Sequence, residues 1–193
     1  MRTFFAILLT LAINTTNVHS QNESYQNFTR NVNRYLPNVG MDELMPTMDG
    51  RQFIYTGSNI HQYGYEWSVS ALFNIIDGGL DHMLMTCILP MNANESYQWL
   101  LSSIKGSNGI KLISAPDEYK DLLFNTIVAK NRNMMFTTIK DVWFIVDKRE
   151  SELVKLICIS DMGISWLLKF PKSSLPQHMT LPYEKTNKKK GKK

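Results

Sequence analysis

The chain has few of the residues that build metal, redox and hydrolytic sites. Two cysteines and four histidines occur among its 193 residues. Disulfide-rich scaffolds contain many more cysteines, and metal sites need clustered ligands at definite spacings, which the sequence does not present. The glycine-containing segments lack both the phosphate-loop lysine and the dinucleotide fingerprint. We therefore predict no metal site, no cofactor and no catalytic residue set.

Long apolar runs are also missing. The run at residues 4–13 follows Arg2 and precedes Val18-His19-Ser20, a sequence compatible with signal peptidase. A membrane anchor is the less favoured alternative, because a span needs about 18 to 20 apolar residues. We predict that residues 1–20 are a signal peptide, that the mature protein is secreted or periplasmic, and that no transmembrane segment remains after cleavage.

Positive charge is concentrated at the C-terminus, although the net charge of the whole chain is +4. The rest of the mature chain has slightly more acidic than basic residues. A tail without apolar residues does not fold by itself, and its lysines would contact nucleic acid, acidic glycan or anionic lipid in a salt-sensitive way. A solubilising terminus without a partner is the alternative. The candidate contacts are Lys185, Lys188, Lys189, Lys190, Lys192 and Lys193.

The chain divides into four parts by composition. After the signal peptide, residues 21–50 are predicted to be a loosely packed lead-in, because Pro37 and Pro46 interrupt them. Residues 51–175 have the length and hydrophobic content of a single domain. Residues 176–193 are predicted to be a proline-containing exit followed by the disordered lysine-rich tail.

A long hairpin opens the regular part of the domain. Aromatic and apolar residues alternate with other residues from Tyr63 to Ile75, which is the period of a β-strand. The turn sequence Asp77-Gly78-Gly79 follows and leads into an apolar run from Leu80 to Leu89. The pattern predicts two antiparallel strands.

Two helices and four further strands follow the hairpin. Asn92 has the position of an N-cap before a helical stripe at about 93–105, and Pro116 precedes a second stripe that reaches Lys130. Strands are predicted at residues 110–113, 134–146, 152–160 and 164–170. The order β-β-α-β-α-β-β-β predicts an α+β fold, a mainly antiparallel sheet with two helices packed on one face.

Cys87 and Cys158 are the only cysteines, and both lie in apolar segments. In an exported chain the pair is a candidate disulfide, provided that the fold brings the two Cα atoms to within about 7 Å. Two buried, inert thiols are the main alternative. A catalytic thiol is less favoured.

Three Asn-x-Ser/Thr triplets follow the predicted cleavage site. They begin at Asn22, Asn27 and Asn94. Each is a possible glycosylation site if the source organism modifies such sequences. If the source is a bacterium, these triplets do not indicate glycosylation.

The preferred functional hypothesis is an exported, non-enzymatic binding or interaction protein. Its partner would be a protein or a small apolar ligand, with the basic tail adding attachment to polyanions. One alternative is a secreted hydrolase or toxin that uses His61 or His82 with a carboxylate. Another is a structural subunit that pairs through an exposed hairpin.

Overall fold

The protein is an α+β domain built on one antiparallel sheet. The computed structural model describes residues 26–27, 29–36, 47–49, 52–74, 76–89, 91–130 and 139–184. Within these residues an eight-stranded sheet is accompanied by three α-helices. The predicted class, α+β with a mainly antiparallel sheet, is confirmed.

The eight elements predicted from the hairpin onward are all present, and a helix and two strands precede them. The helices are α1 (residues 26–27 and 29–35), α2 (Ala93–Gly106) and α3 (Asp117–Lys130). The strands are β1 (Thr47–Asp49), β2 (Gln52–Gln62), β3 (Tyr65–Asn74), β4 (Leu80–Ile88), β5 (Ile110–Ser114), β6 (Ile139–Asp147), β7 (Leu153–Ser160) and β8 (Ile164–Pro171).

The sheet joins two four-stranded antiparallel units. Its strand order is β1-β2-β3-β4-β8-β7-β6-β5, and every neighbouring pair is antiparallel. The two units meet where β4 pairs with β8, from Met83 opposite Lys169 to Ile88 opposite Ile164. The hairpin predicted from the sequence, β3 and β4, therefore lies inside the sheet and has no free edge.

Each face of the sheet carries its own hydrophobic core. The first core contains Leu100 of α2 together with Ile145 of β6, and the second contains Tyr119 of α3 together with Phe144 of β6. Consecutive strand residues point to opposite faces, so α2 and α3 pack on opposite sides of the sheet. The prediction that both helices pack on one face is wrong, because periodicity identifies an apolar stripe but not the face that receives it.

Both ends of the domain extend further than the sequence predicts. Val32 and Leu36 of the α1 segment are buried in the first core, so this part of the predicted loose lead-in is packed structure. At the other end, Leu181 is buried in the second core, beyond the predicted boundary at residue 175. The Tyr183 ring also meets the Phe144 ring edge to face, with centroids 6.2 Å apart.

Local sequence signals place α2 accurately. The Asn92 side chain accepts a hydrogen bond from the Asn94 backbone N–H at 3.0 Å, which caps the helix as predicted. Leu100 and Ile104 then bury one stripe of the helix. Within the described ranges, no helix has the length and apolar character needed to cross a membrane.

Candidate functional site

A cleft of about 650 Å³ lies beside one end of the sheet. Its walls come from the last turn of α1, the end of β2 and the turn between β6 and β7. Tyr35, Ile60 and Leu153 give it apolar surface, and Lys169 is a buried cation in its lining. Concave sites with apolar walls and a few polar groups are the usual form of small-ligand sites.

Two buried lysines lie side by side under this cleft. Lys155 of β7 and Lys169 of β8 are cross-strand partners, with 1% and 4% of their surfaces exposed. Like charges directly opposite on neighbouring strands destabilise a sheet, and isolated buried ammonium groups are costly. Packing alone does not account for such a pair, so the surroundings of each amine decide what it does.

Lys155 is the compensated member of the pair. Its Nζ lies 2.6 Å from a carboxylate oxygen of Glu150 and 3.8 Å from one of Asp147. Its ammonium also donates a hydrogen bond to the Tyr63 hydroxyl at 3.4 Å. Two carboxylates therefore offset the charge of the Lys155 ammonium, which lies beside Lys169.

Lys169 has no such compensation. Its Nζ donates to the Gln62 side-chain oxygen at 2.5 Å, and no described carboxylate forms an ion pair with it. Burial lowers the pKa of Lys169 to about 8, and the positive charge of Lys155 acts in the same direction while Glu150 and Asp147 oppose it. The amine that lines the cleft therefore loses its proton at a lower pH than an ordinary lysine does.

Asp147 connects the pair to the cleft rim. Its buried carboxylate accepts hydrogen bonds from the Arg149 guanidinium, at 3.1 Å from Nε and 3.0 Å from Nη2. These hydrogen bonds hold the pKa of Asp147 below its ordinary value, although burial alone would raise it. The carboxylate is therefore ionised and shared between Arg149 and Lys155.

The β2–β3 hairpin carries Gln62 and Tyr63, the two neutral side chains that hydrogen-bond the buried lysines. Tyr63 and Gly64 have φ angles of 54° and 79°, the positive values that type I′ hairpin turns require. Asn59, at the register shift in β2, has a φ of 61°. Asn59 and Tyr63 are the non-glycine residues with positive φ in the described parts of the chain, and backbone strain of this kind clusters at functional sites.

The two cysteines do not form the candidate disulfide. Cys87 lies opposite Ser165 of β8, and Cys158 lies opposite Trp166, so the two thiols emerge on opposite faces of the sheet. They are two strands apart, a separation of about 10 Å, which exceeds the reach of a disulfide. Both are free and buried.

Burial makes these thiols poor nucleophiles. It raises the pKa of Cys87 and raises that of Cys158 to about 12, with smaller contributions from nearby carboxylates. The thiolate is the reactive form of cysteine. The alternative of two inert thiols fits the fold, whereas a catalytic thiol does not.

The two candidate histidines lie apart. His61 is exposed on the cleft wall, near the acidic turn that carries Glu150. His82 shares its strand alternation with Leu84 of the second core, on the other side of the sheet, and its Nδ1 lies 2.6 Å from an Asp81 oxygen. No group of three or more metal-ligating side chains occurs among the described residues.

The remaining candidate residues are at the periphery. Asn94 is exposed at the first turn of α2, where its side chain accepts a hydrogen bond from Lys140 at 3.0 Å. Asn27 is half-buried in α1. Asn22 lies outside the described residues, and so do the tail lysines Lys185, Lys188, Lys189, Lys190, Lys192 and Lys193.

Comparisons with protein-family models, with curated proteins and with solved structures give no match for this chain. The site therefore has to be interpreted from its own geometry. That geometry consists of a cleft, a buried amine without a charged partner, and a second amine held by two carboxylates.

Sequence reasoning missed the lysine pair, although a signal was present. Lys155 stands alone in the apolar segment Leu153-Val154-Lys155-Leu156-Ile157, and Lys169 stands alone between Leu168 and Phe170. A single charge inside a fully buried strand is unusual. The signal names candidate residues, but only the strand register shows that the two face each other.

Proposed function

We propose that this protein is an exported, non-enzymatic binding module whose cleft takes a small ligand with an apolar part and an acidic group. The observation that carries the proposal is Lys169, a buried ammonium in the lining of the cleft that forms no ion pair with a carboxylate of the described residues. An acidic ligand would supply the missing negative charge, and charge-assisted hydrogen bonds are among the strongest in proteins.

The local charge balance supports an anion rather than a cation. Three positive groups (Lys155, Lys169 and Arg149) share two negative ones (Asp147 and Glu150), so the cluster has one positive charge in excess when all are ionised. Burial strengthens the pull of that excess charge. The apolar part of the lining, formed by Tyr35, Ile60 and Leu153, favours a ligand that also has a hydrocarbon portion.

The test is a titration with hexanoate and, separately, with hexanol, followed by backbone amide NMR. We expect hexanoate to shift the amides around the cleft at lower concentration than hexanol, because only the acid offers a charge to Lys169. Lys169→Met should abolish that preference. Lys111→Met, which changes an exposed lysine of β5, is the matched control and should leave it intact. Equal responses to acid and alcohol in the unaltered protein would contradict the proposal.

The basic tail adds a second, separable part to the proposal. Its lysines would attach the protein to polyanions by counterion release, without selectivity. Deleting residues 185–193 keeps Glu184, which pairs with Lys172 at 3.0 Å, and should lower the salt concentration that elutes the protein from heparin. Retention that does not change after the deletion would exclude this role for the tail.

A further inference from the structure

The two amines of the lysine pair differ in their contacts. Lys155 has charged partners, Glu150 and Asp147, whereas Lys169 has an amide oxygen and the cleft. Pairs of titratable groups in contrasting environments often divide a chemical task between them. Here the difference is between an ammonium that contacts two carboxylates and an amine whose pKa burial lowers.

The partner of Lys169 is suited to a neutral amine. A carboxylate would favour the ammonium form, but the Gln62 oxygen accepts a hydrogen bond from either –NH₃⁺ or –NH₂. Gln62 therefore holds Nζ in position in both protonation states. A desolvated lysine beside a second cation is the arrangement that activates an amine as a nucleophile.

We propose that Lys169 is a covalent capture site, at which its side-chain amine forms an imine with a small aldehyde or keto acid that enters the cleft. The inference rests on the proposed function, since the carbonyl compound must occupy the same cleft. A keto acid would enter the cleft while Lys169 is protonated and the cluster carries one excess positive charge, and Lys169 would give up its proton before it attacks the carbonyl carbon.

The step balances without an oxidant or a further reactant. The nitrogen lone pair of neutral Lys169 attacks the carbonyl carbon, and one of the two nitrogen protons is transferred to the carbonyl oxygen to give a carbinolamine. The nitrogen then loses its remaining proton as the hydroxyl leaves as water, and a C=N bond replaces the C=O bond. The Glu150 carboxylate lines the same cleft, contacts Lys155 at 2.6 Å and has a side chain that is 38% exposed, so it can relay these protons to solvent.

The experiment traps the imine by reduction and locates it by peptide mapping. The folded protein is treated with glyoxylate and cyanoborohydride at pH 7.5. The amount of carboxymethyl group on each lysine is then measured over time. We expect Lys169 to be modified about tenfold faster than the exposed lysines Lys105 and Lys111, because a larger fraction of its amine is neutral. A rate at Lys169 equal to or below that of Lys105 and Lys111 would overturn the inference.

Lys169→Arg is the matched variant, because it keeps the charge and cannot form an imine. It should lose the fast-labelled site, whereas labelling of Lys105 and Lys111 should not change. The site-resolved rates in the unaltered protein decide the question even if this variant fails to fold. If the unaltered protein prefers hexanoate but Lys169 is not labelled fast, the covalent inference is wrong and the acidic-ligand proposal stands. If glyoxylate and butyraldehyde both label Lys169 fast but the protein does not prefer hexanoate, imine formation is supported and only the acidic-ligand proposal is wrong.

Discussion

Lys155 and Lys169 are directly opposed on β7 and β8, yet only Lys155 has carboxylate partners. The charge of Lys155 is stabilised by ion pairs, whereas the charge of Lys169 is not. Since both side chains are buried, this difference has measurable effects on stability as well as on binding.

Replacing the two lysines by methionine should have opposite effects on the free energy of unfolding. Lys169→Met removes a buried charge that has no ionic partner, and we expect an increase of about 1 to 3 kcal/mol at pH 7. Lys155→Met leaves Glu150 and Asp147 without their buried cation, and we expect a decrease of about 3 kcal/mol. Urea denaturation of the two variants provides the measurement. Destabilisation of similar size in both would show that the two lysines are equally compensated.

The pH dependence of stability should carry the signature of Lys169. Below about pH 8 the folded and unfolded chains both hold the proton, so the cost of burying the charge is constant. Between about pH 8 and the ordinary value of 10.5 the folded state has lost a proton that the unfolded state keeps, so the stability contributed by this group rises with pH.

The measurement is the difference in unfolding free energy between the unaltered protein and Lys169→Met, from pH 7 to pH 10. We expect the advantage of the variant to shrink by about 3 kcal/mol at most over this range. Taking the difference cancels Tyr63 and Cys158, whose raised pKa values make stability fall as the pH rises above their ordinary values. A difference that stays constant with pH would mean that Lys169 keeps an ordinary pKa.

The two cysteines should behave as shielded thiols. In the native protein, Cys87 and Cys158 are expected to react with a thiol reagent much more slowly than after denaturation, because both are buried. Intact mass without reductant should correspond to two thiols, and reductant should leave the melting temperature unchanged. A mass lower by two hydrogens would contradict the placement of the cysteines on opposite faces.

Gly163 should be intolerant of a side chain. Its φ is 71°, and a Cβ atom there would lie 3.3 Å from the Leu89 carbonyl oxygen. Gly163→Ala should lower the free energy of unfolding by about 1 to 2 kcal/mol. Gly106→Ala is the matched control, because a Cβ at Gly106 meets nothing within 4 Å, and it should be neutral or slightly stabilising. Equal effects of the two changes would count against the turn geometry.

The sequence predicts the elements of this fold better than their arrangement. The alternation from Tyr65 to Phe73 is strong because one face of β3 is wholly buried, and the cap at Asn92 locates the start of α2. Strand β2 escaped prediction because Gly57 and Asn59 interrupt its alternation near a register shift. The side of the sheet chosen by each helix depends on tertiary packing, which a period does not encode.

The candidate site was less predictable still. The histidines were the obvious chemical residues, but the structure puts the most unusual electrostatics at two lysines that the sequence presents as single charges in apolar strands. Their register is set by the pairing of β7 with β8, and their neutral partners come from the distant β2–β3 hairpin. Long-range juxtaposition of this kind leaves no local trace in the chain.

The pairing of β4 with β8 also affects the order in which the sheet can form during synthesis. β4 lies before the middle of the chain, whereas β8 lies close to its end. During synthesis, the backbone groups of β4 that face β8 have no partner until all the elements from α2 to β7 have been made. Until then β4 keeps one free edge, and a free strand edge can pair with other extended segments, which a sheet built only from sequential hairpins would expose for a shorter time.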